Sequence, residues 1–159
     1  MFIDSEGTQG RVIMARILPE SDLMKSIEEV CEKRGISCGT ISTCIGSLKN
    51  ASFVYAIPRE GKCFNFVYCE PVNISGPIEV LSGQGIIAKD DNGKFQIHLH
   101  AMLSDSDMKT YGTHLLTEGN TVLATTELVI TEIKDMKLTR EYHKESGFYF
   151  FEPKQEEGK

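Results

Sequence analysis

The sequence predicts an α+β fold with one early helix and a strongly bent mixed or antiparallel sheet. One segment shows the helical spacing of apolar residues, whereas many others alternate or are rich in β-branched residues between turn signals. Strands and helices do not alternate regularly, which argues against a Rossmann-like domain. The 159 residues suit one domain with a sizeable core. We assign residues 10–151 to this domain, 1–9 to an N-terminal extension and 152–159 to a frayed tail.

The helix is predicted within PESDLMKSIEEVCEKRG, residues 19–35. Ser21 is the expected N-cap, Asp22 suits the positive end of the helix dipole, and Gly35 is the expected stop. Charged residues occupy the face opposite the apolar one. The apolar residues at helical spacing are Leu23, Ile27, Val30 and Cys31.

The remaining segments predict strands joined by turns. KDDNGK, residues 89–94, is a strong turn signal, and PREGKC is a hairpin loop. Residues 121–133 are expected to form the longest strand, and 137–153 a short final element. The other predicted strands are 10–18, the segment 36–57 interrupted by a turn at Gly46–Asn50, 64–71, 76–88, 95–104, and a short strand or turn around His114.

Composition and charge narrow the function classes. The net charge of −6 excludes a broadly basic nucleic-acid-binding surface on one chain. No apolar run approaches the roughly 18 residues that span a bilayer, and the N-terminus lacks a signal-peptide pattern, so we expect a cytoplasmic protein. The five cysteines are odd in number and form no CxxC, which predicts reduced, mostly buried thiols.

Three of the four histidines lie within IHLHAMLSDSDMKTYGTHLL, residues 97–116. Side chains at i and i+2 of a strand lie on one face roughly 7 Å apart, so His98 and His100 can converge on one ion. His114 can reach them through a polar loop. Three imidazoles suit zinc, and also iron, nickel or copper, and leave a position open for water. Alternatively, His98 and His100 are polar residues of a half-exposed strand.

Several carboxylates could support such a site. Asp105 and Asp107 lie between the histidines and could bind a metal or act as a general base, although a solvated turn is the favoured interpretation. Glu79 and Glu127 fall in apolar strands and could hydrogen-bond a metal-binding histidine. His143, in a charged segment, is expected at the surface. No catalytic residue is assigned.

Four stretches, taken in their order, resemble the plants-and-prokaryotes-conserved (PPC) domain, which follows an AT-hook in plant nuclear proteins. The resemblance covers residues 11–147. The stretches are RVIMARILPESDLMKSIEEVCEKRGI, GTISTCIGSLKNASF, GPIEVLSGQGII, and IHLHAMLSDSDMKTYGTHLL with TTELVITEI.

The resemblance implies a curved, largely antiparallel sheet with one main helix packed on it, assembled as a homotrimer. It also implies a metal ion, zinc foremost, at His98, His100 and His114, as in prokaryotic members. The chain departs from the family pattern in three stretches. Glu20 and Ser21 replace a glycine and a glutamate, Thr113 replaces a glycine before the histidine, and Pro77–Ile78 replaces the Arg-Phe of the plant partner-binding hexapeptide. No AT-hook occurs in the sequence.

The function expected from this resemblance is that of a trimeric DNA-binding or regulatory protein with a three-histidine metal site. DNA is considered as a partner, although the acidic net charge and the missing AT-hook count against it, and no membrane partner is expected. Two alternatives stay open. One is a metal-dependent hydrolase or lyase acting on a small molecule, although a non-enzymatic role is favoured. The other is a trimer that binds a small ligand and holds a structural metal.

Overall fold

The computed structural model describes residues 1–90 and 92–155. In these ranges one α-helix, α1 (Leu23–Arg34), and a short 3-10 turn (Cys63–Asn65) accompany the strands. The strands are β1 (Thr8–Ile17), β2 (Gly39–Val54), β3 (Ala56–Pro58), β4 (Phe66–Tyr68), β5 (Val72–Lys89), β6 (Phe95–Ser104), β7 (Thr110–Leu115), β8 (Val122–Lys134), β9 (Met136–His143) and β10 (Phe148–Gln155).

Six strands form the main sheet, in the order β1-β8-β2-β5-β6-β7, and every pairing within it is antiparallel. The strand β7, at one edge of this order, also pairs with the end of β2, where Phe53 lies opposite Leu115. The sheet therefore curls back on itself. Bulges in β1, β2 and β5 assist this bending. The α+β class and the curved, antiparallel sheet predicted from the sequence are therefore confirmed.

The helix begins one residue later than predicted. Asp22, not Ser21, is the N-cap, and its Oδ1 accepts hydrogen bonds from the backbone N–H groups of Met24 (3.0 Å) and Lys25 (3.2 Å). Its Oδ2 accepts two more, from Gly119 and Asn120. A carboxylate has two oxygens and can serve both segments, whereas a serine hydroxyl could not. Gly35 ends the helix as predicted, with φ of 64°.

One apolar face of α1 covers one face of the main sheet, which we call the inner face; the opposite face is the outer face. Leu23, Met24, Ile27 and Cys31 of the helix are fully buried against sheet residues such as Leu99. Cys31, Cys38 and Cys44 are buried, as predicted for most of the thiols. Burial raises the pKa of the Cys31 thiol to about 11 and of Cys44 to about 12. Both thiols are therefore protonated and unreactive at neutral pH.

Two strand predictions were wrong. The turn expected at Gly46–Asn50 does not exist, because β2 continues through it with irregular register. Gly46 has φ of 145°, and a Cβ there would lie 2.2 Å from the carbonyl oxygen of Thr125. This glycine thus permits close approach of β8 instead of a turn. The longest strand is β5, with 18 residues, and not β8, with 13.

The chain ends differ from the predicted boundaries. Thr8 and Gln9, placed in the extension, already pair in β1. The expected short final element is a hairpin of two strands, β9 and β10, and residues 152–155 of the predicted tail belong to β10. Residues 156–159 lie outside the described ranges, as does Asp91 in the predicted 89–94 turn. Around it, Asp90 accepts from the backbone N–H groups of Asn92 and Lys94, as a turn requires.

Two small hairpins lie beside the main sheet. β3 pairs with β4, and β9 with β10. They meet through the stacked rings of Phe66 and Phe148, whose centroids are 4.9 Å apart at 12°. Within residues 1–90 and 92–155, no helix has the length and apolar character needed to cross a membrane.

Candidate metal centre

Strand pairing brings the three predicted histidines together on the outer face. Phe95, Ile97 and Leu99 of β6 point into the core, so His98 and His100 point outward. In the antiparallel ladder His100 lies directly opposite His114 of β7. The three ring centroids are 4.6–5.0 Å apart. The alternation of β6 and the register of the β6–β7 hairpin thus generate a cluster of three imidazoles.

The distances between nitrogen atoms suit a metal ion. One potential ligand atom from each histidine lies within 4.8 Å of the others, and the Nε2 atoms of His98 and His100 are 2.9 Å apart. Zinc–nitrogen bonds of 2.0–2.1 Å in tetrahedral geometry separate two ligand nitrogens by about 3.3 Å. The observed distances lie on either side of this value, so small ring rotations would suffice.

One nitrogen of the cluster lacks a partner. His114 Nδ1 is buried and has no hydrogen-bond partner among the described residues. A buried polar atom left in this way is unfavourable by roughly 1–3 kcal/mol, and a bound water or ion is one way in which proteins satisfy such an atom. The three residues therefore fit a bound transition metal.

The surroundings of His98 and His114 favour the neutral form of imidazole, which is the form that binds metals. Burial and, after it, the nearby charges of His98, His100 and Arg140 together lower the pKa of His114 to about 4. Burial, followed by His100 and Arg140, also lowers the pKa of His98. A metal ion therefore has little competition from protons at His98 and His114 near neutral pH.

Aromatic rings from the two small hairpins lie against the cluster, and their contact with the histidines was not predicted from the sequence. Phe151 of β10 stacks on the ring of His98, with centroids 6.0 Å apart at 11°. Tyr68 of β4 meets His114 edge-on at 5.4 Å. The aromatic stretches FNFVY and GFYFF are visible in the sequence, but neither stretch indicates that its rings contact the histidines.

Arg140 of β9 adds a permanent positive charge nearby. Its Nη1 donates a hydrogen bond to Gln96 Oε1 (3.1 Å), one position along the outer face from His98. Its guanidinium carbon is 5.8 Å from the centre of the Phe151 ring. The hydrogen bond to Gln96 ties the β9–β10 hairpin to β6. The contact of the guanidinium group with the Phe151 ring helps to place that ring against His98.

None of the four candidate carboxylates belongs to the histidine group. Asp105 instead organises the β6–β7 turn, because it accepts from the N–H groups of Asp107 and Lys109 and from the Tyr111 hydroxyl. That last bond lowers the pKa of Asp105. Glu127 accepts from the Thr125 hydroxyl, and Glu79 is exposed on β5. The favoured interpretation of the aspartates as a turn fits this arrangement.

The fourth histidine and one further carboxylate lie elsewhere. His143 is exposed, as predicted, and its Nδ1 is 3.1 Å from the Ser146 hydroxyl in the β9–β10 turn. Glu132, which the sequence analysis did not single out, is buried on the inner side and binds Arg11. This pair is structural and lies apart from the histidine cluster.

The similarity of this sequence to a known domain family establishes the family of the chain. Residues 4–134 match the sequence model of the Plants and Prokaryotes Conserved (PCC) domain. The chain belongs to the PCC domain family. This confirms the resemblance seen in the sequence. The match ends before β9, so the hairpin that carries Phe151 and Arg140 lies outside the matched domain.

Solved structures share the fold of this PCC protein. A plant- and prokaryote-conserved protein from Pyrococcus horikoshii superimposes with a TM-score of 0.77 and 26% identity, covering 99% of each chain. A metal-containing protein from Archaeoglobus fulgidus gives 0.76 and 26% identity over 92% of this chain and 96% of that one. The bifunctional protein GlmU of Synechococcus is 25% identical over 138 residues, 87% of this chain, which spans only 20% of that relative.

Proposed function

We propose that this PCC-domain protein binds a divalent transition metal, zinc foremost, through His98, His100 and His114, and acts as a regulatory homotrimer. The observation that carries the proposal is the convergence of three imidazoles on rigid strands. The low pKa of His114 and its unpartnered nitrogen support it. So does the metal-containing Archaeoglobus relative, which has the same fold.

A bound ion would supply Lewis-acid polarisation of a ligand oxygen. The chain's own residues would hold that ion, while Phe151 and Tyr68 limit the movement of two of its imidazoles. Asp105 and Asp107, the two residues considered as a general base, do not belong to the histidine group. This arrangement supports binding more than the alternative of a hydrolase or lyase, which would need a proton acceptor at the site.

The outer face supports the trimer. It exposes large apolar side chains that alternate with the buried core residues of the same strands. Soluble proteins rarely leave so many large apolar groups on one face, and such faces typically contact partner subunits. These residues are Val12, Met14, Ile45, Leu81, Ile86 and Met102.

DNA is a further proposed partner, and it rests on the family resemblance alone. The net charge of −6 means that a binding surface would need local basic residues contributed by several subunits. A gel shift at about 50 mM salt, where electrostatic binding is strong, tests it. No shift under that condition would remove DNA from the proposal.

Metal analysis tests the site. Protein purified without an affinity tag should contain one metal ion per chain, measured by inductively coupled plasma mass spectrometry. The variants His98→Ala, His100→Ala and His114→Ala should each lose most of this metal. His143→Ala is the matched control, because His143 lies away from the cluster, and it should keep the wild-type content. Wild-type metal content in all three cluster variants would show that the site is wrong.

A further inference from the structure

We propose that a cavity beside the histidine cluster binds a small molecule with a planar apolar body and an oxygen donor that reaches the metal. The cavity measures about 540 Å³. His100 and His114 form part of its wall and are also two of the three candidate metal ligands. The inference rests on the proposed metal site and adds the class of ligand that the site would take.

The cavity exists because a side chain is missing on the outer face. Thr110, Gly112 and His114 point outward from β7, and Gly112 lies opposite Met102 of β6. A Cβ built at Gly112 would have no atom within 4 Å. The space above it is bounded on the far side by Tyr55 and Tyr68 at the β3–β4 hairpin. The glycine is thus the floor of a gap between sheet and hairpin.

The side chains that line the cavity favour a ligand whose body is uncharged. Apart from its two histidines the wall carries no ionisable side chain except the tyrosines, so nothing in it would neutralise a phosphate or an ammonium group. Met102, Val54 and the tyrosine rings supply apolar surface, and Ser82 and Gln84 supply hydrogen-bonding groups. Flat apolar walls with a few polar groups are typical of small-molecule sites.

The size and position of the cavity fit a ring-bearing ligand. A volume of about 540 Å³ lies within the roughly 300–1,000 Å³ of ligand pockets. Because the ring of Tyr68 already contacts His114 at 5.4 Å, a planar group beside Tyr68 would lie next to the metal ligands. Its donor oxygen would point toward the imidazoles, and its apolar body would cover Gly112.

Two probes with the same metal-binding head test the proposal. Benzohydroxamate carries a phenyl ring and acetohydroxamate a methyl group, and both are titrated into Co²⁺-loaded protein while its visible absorption is followed. Burial of the ring should make benzohydroxamate bind roughly 10- to 50-fold more tightly than acetohydroxamate. Gly112→Leu, which fills the gap with a side chain, should bring this ratio close to one.

Thr110→Leu is the control, because it places the same side chain on the same outward row of β7 but outside the cavity wall. It should preserve the wild-type ratio. Equal affinities of the two probes for the wild type would overturn the pocket proposal, and this is also the result expected if a second subunit fills the gap. An affinity ratio that stays at its wild-type value in Gly112→Leu would overturn the proposal as well. A protein that takes up no Co²⁺ would instead refute the metal site, and the pocket proposal with it.

Discussion

At the scale of single residues, Glu132 shows how one buried charge is made stable. Its two carboxylate oxygens accept from Arg11 Nη2 (2.7 Å) and Nε (2.8 Å), and Oε2 also accepts from the Arg11 backbone N–H. The Arg11 side chain is about half exposed, so solvent weakens the attraction. Even so, these bonds hold the pKa of Glu132 at about 2.

This contact predicts a pH dependence of stability. Because the pKa of Glu132 is lower in the folded chain than its ordinary value of 4.5, the stabilisation is complete above about pH 4.5 and declines as pH falls toward 2. Glu132→Gln should lower the free energy of unfolding at pH 7 by about 1–2 kcal/mol. It should also flatten the pH profile between 4.5 and 2, measured by urea denaturation.

The matched control is Glu118→Gln. Glu118 is 75% exposed and its contact with Lys25 spans 3.3 Å, so its removal should change stability by less than about 0.5 kcal/mol. Equal effects of the two substitutions would show that the Arg11–Glu132 contact contributes no more than an ordinary surface pair.

At the scale of elements, the β9–β10 hairpin is the part of the chain that encloses the histidines from outside the matched PCC domain. Phe151 stacks on His98, and Arg140 binds Gln96 on the neighbouring outward position. Groups that orient a metal-binding histidine raise the affinity of the site without touching the ion. The hairpin therefore acts as a positioning element for the cluster.

This role predicts the effect of removing one ring. Phe151→Ala should weaken metal affinity roughly tenfold, since mutation of supporting groups around metal ligands costs about 10- to 100-fold. Competition with a chromogenic chelator measures the affinity. Phe150→Ala is the control, because Phe150 contacts Phe64 and His143 and not the cluster. An unchanged affinity in Phe151→Ala, or an equal loss in Phe150→Ala, would contradict the role.

An element could be predicted from the sequence where the interactions that form it are between residues close together in the chain. It could not be predicted where they are between residues far apart. The strand period alone placed His98 and His100 on one face, and the helix followed from local spacing and Gly35. The continuation of β2 through Gly46 depends on contact with β8, which is distant in sequence. The stacking of Phe151 on His98 likewise depends on tertiary packing, so no local pattern could predict it.

At the scale of the whole molecule, the outer face holds both the histidines and a set of exposed apolar side chains. Met14 is 76% exposed and Val12 56%, although both lie in the middle of a strand of the main sheet. Assembly into a trimer would remove such groups from water. At roughly 25 cal/mol per Å² of apolar surface, it would gain stability from each one that becomes buried.

Native mass measurement at micromolar concentration tests this assembly. The wild type should have three times the 17.7 kDa mass of one chain. The double substitution Met14→Lys with Val12→Lys should shift the population toward monomers, because it places charges in a buried contact. Arg16→Lys, on the same outward row but preserving charge, is the control. A wild-type monomer would contradict the proposed homotrimer.

Anomalous X-ray diffraction can show directly whether His98, His100 and His114 hold one metal ion. Crystals of untagged, zinc-loaded protein should show an anomalous peak above the zinc absorption edge that vanishes below it. We expect this peak about 2.0–2.1 Å from one nitrogen of each histidine. A peak elsewhere, or no peak among these imidazoles at full zinc loading, would mean that the three histidines do not form the metal site.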